Sequence, residues 1–269
     1  MVEVEKSGGP ESYVGDGVTA TRYLLSVWLP ALIIGAGGSG VLAVTHVDAL
    51  HLARFGGVRP GTKFLGFDVM PSPPVVTVRR QGDAPLTEET LSVRLEPGVE
   101  YCRIGQGCDP RRLAGIVRAD GALAPELRHL LERQPGQRFT KSLENGTEGE
   151  RLFGLLAFVW SLPEIRRRLR DALRQLNDLR LPGGHVAASR SILVAIVNSV
   201  VGGVGSAVAL LLCREVKRAM DDLGMDVPGS LFIAICFTPD AFQPSTLRHS
   251  NTYDTLQDYS VAQREAMLP

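Results

Sequence analysis

The uncharged segment from Ser191 to Cys213 can form one of two structures. Arg190 and Arg214 bound it as charged residues would bound a membrane-spanning helix. Lipid offers no water to bond backbone N–H and C=O groups that lack a partner within a helix. The three glycines and the asparagine inside the segment therefore disfavour a membrane helix. The other structure is a buried strand, a glycine turn and a helix that extends over 207–224.

A second apolar run decides between these structures. SLFIAICF, at 230–237, follows closely and has the length and composition of a buried strand. A strand over 191–200, the turn, the helix and this second strand account for both runs, whereas a membrane helix accounts for one. The apolar run at 23–34 is interrupted by Pro30 and is too short to cross a bilayer. We therefore predict no membrane insertion.

The first glycine-rich turn of the chain has similar surroundings. ALII (31–34) runs into GAGGSG, and residues 41–55 carry apolar side chains at helical spacing. After a loop, KFLGFD (63–68) is a buried strand that ends on an acid. Strands that alternate with helical crossovers predict an α/β fold with a mostly parallel sheet and helices on both faces.

The middle of the chain is less regular. Residues 75–105 contain two strand-like pieces, the second of which bends at Pro97 and Gly98. Cap and turn residues at 145–147 then open a long helix. Pro163 lies inside the helical pattern, where its ring and missing N–H are expected to kink or split the helix.

The charge balance favours a small molecule or a protein as the partner. Lys plus Arg and Asp plus Glu both number 29 among 269 residues, so no net charge draws the chain to nucleic acid or anionic lipid. The arginine-rich run at 165–181 is interspersed with leucines. Its pattern is typical of a solvated amphipathic helix more than of a phosphate-binding face.

The cysteines and histidines give no sign of a metal site. The four cysteines form no CxxC pair, and the five histidines lack the spacing of zinc ligands. Unpaired cysteines suit a reducing cytoplasm, which is the location we expect. Residues 1–22 lack the pattern of a signal peptide and are expected to form a loose leader.

The two glycine turns predict a phosphate site. In an open parallel sheet, ligands bind over the carboxyl ends of the strands, where helix N-termini offer N–H donors to anions. Gly35, Gly37 and Gly40 also form a GxGxxG pattern, which fits a dinucleotide-binding enzyme. That enzyme would have an acid about 20 residues farther on, and Asp68 lies beyond that distance. A nicotinamide-dependent oxidoreductase and a domain that only binds other proteins remain as alternatives.

The order of the motifs resembles the nucleotide-binding half of the tubulin and FtsZ superfamily, above all the bacterial tubulin-like proteins. The resemblance covers about residues 31–260 and implies a Rossmann-like GTPase domain. It rests on six segments: IIGAGGSG (33–40), KFLGFD (63–68), GTEGERLFGLLAF (146–158), VNSVVGGVGSAVALLLCREV (197–216), FTPDAF (237–242) and NTYDTL (251–256).

The resemblance implies a site for GTP or GDP, with Mg²⁺ as a further ligand. Asp68 would lie near the nucleotide or its magnesium, and Gly146, Thr147 and Gly149 would sense the terminal phosphate. The two phosphate loops would consist of Gly35, Ala36, Gly37, Gly38, Ser39 and Gly40, and of Gly202, Gly203, Val204, Gly205 and Ser206.

Three further residues would recognise the nucleoside. Asp240 would contact the ribose. Asn251 would read guanine, because its amide both donates and accepts hydrogen bonds, and Tyr253 would stack on the base. An ordinary helix cap is the alternative role of Asn251.

The chain departs from the family pattern at several positions. Val204 replaces a threonine of the signature loop, and Val201 and Ala207 replace smaller residues. Leu155 stands where the family tends to have arginine, and an acid is missing at Met70. These departures imply binding more strongly than hydrolysis.

The resemblance also implies a domain organisation. We expect the nucleotide-binding domain at 23–260 and the start of the following helix at 261–269. In the superfamily, a second domain completes the catalytic site of the neighbouring subunit. Hydrolysis and filament-type self-association are therefore expected to be weak or to depend on a partner.

Overall fold

The computed structural model of the chain describes most of the predicted elements. The described residues are 29–57, 61–81, 88–109, 112–113, 143, 146–178, 191–238, 255 and 257.

A five-stranded parallel sheet forms the centre of the fold, as predicted. Its strands are β1 (Ala31–Ala36), β2 (Thr62–Asp68), β5 (Tyr101–Arg103), β6 (Leu193–Ser199) and β7 (Leu231–Phe237). The spatial order is β5-β2-β1-β6-β7. Ala31 pairs in register with Thr62 on one side and with Leu193 on the other, so β1 is the central strand.

Four helices in the described part of the chain flank the sheet on its two faces. They are α1 (Gly37–Phe55), α2 (Arg151–Trp160), α3 (Leu162–Asn177) and α4 (Gly203–Asp222). On one face, Val41 of α1 packs with Phe64 and Val197. On the other, side chains of α2, α3 and α4 form the larger core with strand residues such as Ile34 and Phe67. The predicted two-faced α/β architecture is thus confirmed.

A separate antiparallel hairpin lies between β2 and β5 in the sequence. It consists of β3 (Val76–Gln81) and β4 (Glu88–Val93) and packs against α1. The chain then turns as predicted. Gly98 has a φ of 80°, a left-handed conformation that glycine adopts without strain, and its N–H donates to the carbonyl of Tyr101 at 3.0 Å.

Pro163 splits the long helical pattern, as predicted. α2 ends at Trp160, α3 begins at Leu162, and Pro163 lies in the first turn of α3, where its missing N–H costs nothing. Ser161 joins the two helices. Its hydroxyl accepts a hydrogen bond from the N–H of Gly105 at 2.8 Å, which fixes the joint to the loop after β5.

Two predicted helix starts were wrong. α4 begins at Gly203 rather than at residue 207, because the glycines after Gly202 already have helical backbone. α2 begins at Arg151, with Glu150 as its N-cap, instead of directly after 145–147. A tight turn of positive φ intervenes at Gly146, Glu148 and Gly149. Asn145 lies outside the described residues.

The prediction that 230–237 forms a buried strand was wrong about burial. β7 is the last strand on its side of the described sheet. Leu231, Ile233 and Ile235 alternate along it, and between 40% and 52% of each is exposed. An apolar run therefore identified the strand, whereas its exposure depends on what packs against that face.

The arginines of α3 form ion pairs, which agrees with a solvated amphipathic helix. Arg166 makes two hydrogen bonds to Glu215 of α4, at 2.6 and 2.9 Å. Arg167 pairs with Glu164 and Asp171 on α3 itself. Separately, no helix in the described part of the chain has the length and apolar character needed to cross a membrane.

Candidate functional site

A cavity lies where the strand order of the sheet reverses. β1 is followed by α1 and β6 by α4, and these two strands are neighbours. Ligands of open α/β sheets bind at this position, outside the carboxyl ends of the strands. The cavity has a volume of about 80 Å³. Its wall consists of Ala36, Gly37, Gly38, Ser39, Asp68, Thr147, Ser199, Gly202, Gly203, Val204 and Gly205.

The N-termini of α1 and α4 both form part of this wall. The capping residues Ala36 and Gly202 make no side-chain cap hydrogen bond, and neither helix has an acid in its first turn. The first N–H groups of an α-helix have no partner within the helix, and the helix dipole makes that end partly positive. The cavity is therefore suited to a group that carries negative charge and accepts several hydrogen bonds.

Most glycines of the two turns are needed for packing of the protein itself. A side-chain carbon at Gly37 would lie 2.7 Å from the amide nitrogen of Gly205. One at Gly205 would lie 2.9 Å from the carbonyl oxygens of Ala36 and Ser199. One at Gly40 would collide with the carbonyl of Val197. These glycines let the starts of α1 and α4 and the end of β6 come into backbone contact.

Two glycines are different, because a side-chain carbon would fit at each of them. A side-chain carbon at Gly202 would have nothing within 4 Å, and the backbone there is extended, with φ −82° and ψ 155°. At Gly38 the nearest atom would be Oδ2 of Asp68, at 3.6 Å. A side chain at either position would enter the cavity without disturbing the fold.

The loop before α2 closes another side of the cavity. Thr147 is buried, and its hydroxyl occupies the space where a side chain at Gly203 would lie. A side-chain carbon at Gly154 would collide with the carbonyl of Gly203. α2 and α4 therefore approach closely through these two glycines, and this contact brings Thr147 to the start of α4.

Asp68 supplies the one carboxylate among the residues of the cavity wall. Burial raises its pKa to about 6, although the backbone N–H groups of Val69 and Met70 donate to it and partly offset this effect. The turn is fixed from β5. Tyr101 donates to the carbonyl of Met70 at 2.5 Å, and Arg103 donates to that of Val69 at 3.2 Å.

The geometry can be compared with families of known proteins. Residues 32–267 match a family model described as "Tubulin like". The chain belongs to this tubulin-like family. No curated protein matches it in sequence.

Solved structures of similar fold include two superfamily members. CetZ1 from Haloferax volcanii, a GDP-bound monomer, is 12% identical, with a TM-score of 0.47, over 85% of this chain and 47% of that one. An empty FtsZ dimer from M. jannaschii is 13% identical, with a TM-score of 0.44, over 93% of this chain and 46% of that one. The tubulin-like chain spans less than half the length of these proteins.

The structure brings most of the predicted site residues of this tubulin-like chain together. Ten of them line the cavity: Ala36, Gly37, Gly38, Ser39, Asp68, Thr147, Gly202, Gly203, Val204 and Gly205. Among the predicted residues that are described, five are not part of the wall: Gly35, Gly40, Gly146, Gly149 and Ser206. Asp240, Asn251 and Tyr253 lie outside the described residues.

The valines and the alanine that depart from the family signature do not obstruct the cavity. All three side chains are buried. Val204 and Ala207 belong to the larger core. Val204 contributes to the cavity wall at the start of α4. Val201 and Ala207 therefore change the packing behind the loop, whereas Val204 is buried and also forms part of the wall.

Sequence reasoning missed Ser199, the last residue of β6. Its hydroxyl accepts a hydrogen bond from the N–H of Val201 at 3.2 Å, and the residue lines the cavity. Its position directly before the glycine turn was the available signal. It shapes the bend between β6 and Gly202.

The side chains around Asp68 do not form a complete metal site. In the described part of the chain, no three His, Cys, Asp or Glu side chains are grouped to hold an ion. Mg²⁺ is commonly bound by one or two carboxylates together with substrate phosphates and water. Asp68 would be the carboxylate that the protein contributes to such a site.

Proposed function

We propose that this tubulin-like chain binds a guanine nucleotide, with the phosphates over the N-termini of α1 and α4. The observation that carries the proposal is the convergence of two helix N-termini without side-chain caps on one cavity at the switch point of the sheet. Each supplies backbone N–H groups and partial positive charge, which together match a di- or triphosphate.

The absence of side chains at Gly38 and Gly202 supports a ligand that reaches the backbone. These residues lie at the start of α1 and immediately before α4. Glycine leaves their peptide groups accessible from the cavity, which a close phosphate contact requires. Ser39 and Thr147 add hydroxyl groups to the same wall.

Membership of the tubulin-like family supports guanine as the base. On the basis of the sequence resemblance, we assign Asn251 to the base, Tyr253 to stacking and Asp240 to the ribose. NAD remains the ligand of the alternative oxidoreductase, which would use the first glycine turn alone.

We assign Mg²⁺ to Asp68 and the nucleotide phosphates. The ion would neutralise the charge that the phosphates place beside this carboxylate. The chain's own part is to hold the carboxylate at the cavity wall, which the N–H groups of Val69 and Met70 and the hydrogen bond from Tyr101 accomplish.

Hydrolysis and filament-type association are further parts of the proposal. In the superfamily, both depend on a second domain and on a neighbouring subunit. We expect slow phosphate release by this chain alone, and faster release if copies assemble. Phosphate release and sedimentation, each measured against protein concentration with GTP, test this expectation.

Isothermal titration with GTP, GDP, ATP and NAD tests the binding proposal. Selective binding of GTP and GDP supports it. Tight NAD binding contradicts it and favours the oxidoreductase, and no binding of any nucleotide favours a domain that only binds proteins.

A matched pair of variants tests the location of the site. Gly202→Val puts a branched side chain into the cavity at a backbone conformation that valine prefers. Gly57→Val is the control, because Gly57 also has open space where a side chain would lie but follows the far end of α1. We expect the first variant to lose GDP binding and the second to retain it, and equal affinities would contradict this location.

A further inference from the structure

Asn198 is a fully buried polar residue next to the cavity. It is the second-last residue of β6, pairs in register with Cys236 of β7, and has 0% of its surface exposed. A buried amide is retained in a fold only where its donors and acceptors find partners, because an unsatisfied one is costly. Its hydrogen bonds therefore indicate its role.

The amide of Asn198 connects β7 with the first turn of α4. Its Nδ2 donates to the carbonyl of Gly205 at 3.3 Å, and its Oδ1 accepts from the thiol of Cys236 at 3.4 Å. Asparagine can hold both contacts because its side chain carries a donor and an acceptor. A carboxylate has no N–H for Gly205, and an aliphatic side chain has neither group.

Gly205 is a wall residue of the cavity and has no side chain that could fix its peptide group. The carbonyl of the next residue, Ser206, accepts a hydrogen bond from the hydroxyl of Thr255 at 3.3 Å, and Thr255 is also buried. Two side-chain donors from outside the helix thus bind consecutive carbonyls of the first turn. The peptide groups held in this way carry the N–H groups of Ser206 and Ala207, and the Ser206 N–H donates to the carbonyl of Gly202 at 3.2 Å, which closes the first turn of α4. The hydrogen bonds from Asn198 and Thr255 therefore hold this turn, which includes the wall residues Gly203, Val204 and Gly205, in place.

We infer that Asn198 is a positioning residue for phosphate binding: through the carbonyl of Gly205, it holds the first turn of α4 in place, and with it the N–H groups of the wall residues Gly203, Val204 and Gly205. The inference rests on the proposed function, since it concerns the same site. It adds a residue that does not belong to the cavity wall.

The test compares ligands with and without phosphate. Asn198→Asp keeps the shape of the side chain but replaces the donor to Gly205 with an oxygen. We expect GDP affinity to fall about tenfold, the equivalent of one hydrogen bond, while guanosine affinity stays the same. Asn198→Ala, which removes the donor without adding charge, should act in the same direction and serves if the first variant does not fold.

Thr45→Val is the matched control. Thr45 is also fully buried, and its hydroxyl donates to a helix carbonyl, that of Val41, at 2.8 Å. It lies on α1 outside the cavity wall. Loss of this bond should change thermal stability but leave the ratio of GDP to guanosine affinity unchanged. If Thr45→Val lowers this ratio as much as Asn198→Asp does, the effect is one of general stability and the inference is overturned.

A second measurement does not depend on the ligand. Amide hydrogen exchange at Ser206, whose N–H donates to the carbonyl of Gly202, should accelerate several-fold without nucleotide in the Asn198 variants and stay unchanged in Thr45→Val. Failure of the wild-type chain to bind GDP would contradict the proposed function alone, and the exchange rates would still test Asn198. Unchanged exchange in the Asn198 variants would overturn the inference. If the wild-type chain binds GDP, an unchanged ratio of GDP to guanosine affinity in these variants would overturn it as well.

Discussion

Gly37 and Gly205 lie backbone against backbone at the starts of α1 and α4, where a side-chain carbon at Gly37 would be 2.7 Å from the amide nitrogen of Gly205. The two helix starts therefore occupy one compact junction at the carboxyl ends of β1 and β6. This contact explains how two separate glycine turns form a single cavity.

Substitution at Gly205 should destabilise the fold. In Gly205→Ala, the added methyl group meets the carbonyl oxygens of Ala36 and Ser199 at 2.9 Å, and neither backbone segment can move without disturbing the sheet. We expect a loss of about 2–4 kcal/mol in the free energy of unfolding, measured by urea denaturation. Gly202→Ala, at an open position, should cost less than about 1 kcal/mol. Similar costs for the two variants would contradict the packing role of Gly205.

Asp48 should make stability depend on pH. Burial, and secondarily the charge of Glu100, raise its pKa from 3.8 to about 6 in the folded chain. The ionised carboxylate therefore destabilises the fold fully above pH 6, and this penalty disappears as the pH falls toward 4. Asp48→Asn should add about 1–3 kcal/mol to the free energy of unfolding at pH 8 and almost nothing at pH 4. Denaturant titrations at the two pH values check this, and a gain of equal size at both would refute it.

Asp68 should couple nucleotide binding to proton uptake. Its pKa is also raised to about 6 by burial, and a phosphate placed beside it would raise the pKa further. Without Mg²⁺, GDP should therefore bind more tightly at pH 6 than at pH 8. Asp68→Asn should bind GDP more tightly than the wild type at pH 8 and depend less on pH.

Titration calorimetry in two buffers of different ionisation enthalpy measures the protons taken up. Protonation of GDP itself contributes equally to the wild type and the variant, so their difference reports on Asp68. Asp48→Asn is the control, because Asp48 is buried on α1 outside the cavity wall. An identical proton count for wild type and Asp68→Asn would show that this carboxylate does not adjoin the bound phosphate.

The ion pair between Arg166 and Glu215 should contribute to the contact of α3 with α4. It has two hydrogen bonds, and 14% of the Glu215 side chain is exposed. A double-mutant cycle with alanine at both positions should give a coupling energy of about 1 kcal/mol. Arg167→Ala, which breaks an exposed pair, should leave the unfolding midpoint unchanged. Absence of coupling between Arg166 and Glu215 would contradict a stabilising role.

Local sequence patterns were sufficient to predict the sheet and its helices. Apolar runs that end in glycine turns predicted β1 and β6, and Pro163 predicted the break between α2 and α3. These features depend on residues close together in the chain, where steric limits and hydrogen-bonding capacity act directly. Family resemblance then grouped most residues of the cavity wall.

Features that depend on distant contacts could not be predicted. A carbonyl of β1 leaves no room for a side chain at Gly205, whereas Gly202 adjoins open space. The sequence does not show this difference, because it depends on which segments pass near each glycine. The burial of Val201 and the exposure of Ile233 depend in the same way on tertiary neighbours. The role of Asn198 could not be predicted either, because the sequence does not show that its amide bonds Gly205 and Cys236.

The junction at Gly37 and Gly205 also has a mechanical consequence. Because the two helix starts are in direct backbone contact, we expect a ligand that displaces one of them to displace the other as well. α1 has 19 residues and α4 has 20, and each helix is about 30 Å long at 1.5 Å per residue. A tilt of about 5° at the cavity would therefore move the far ends, Phe55 and Asp222, by roughly 2–3 Å. Ligand binding in the cavity would therefore shift residues at the opposite edge of the sheet.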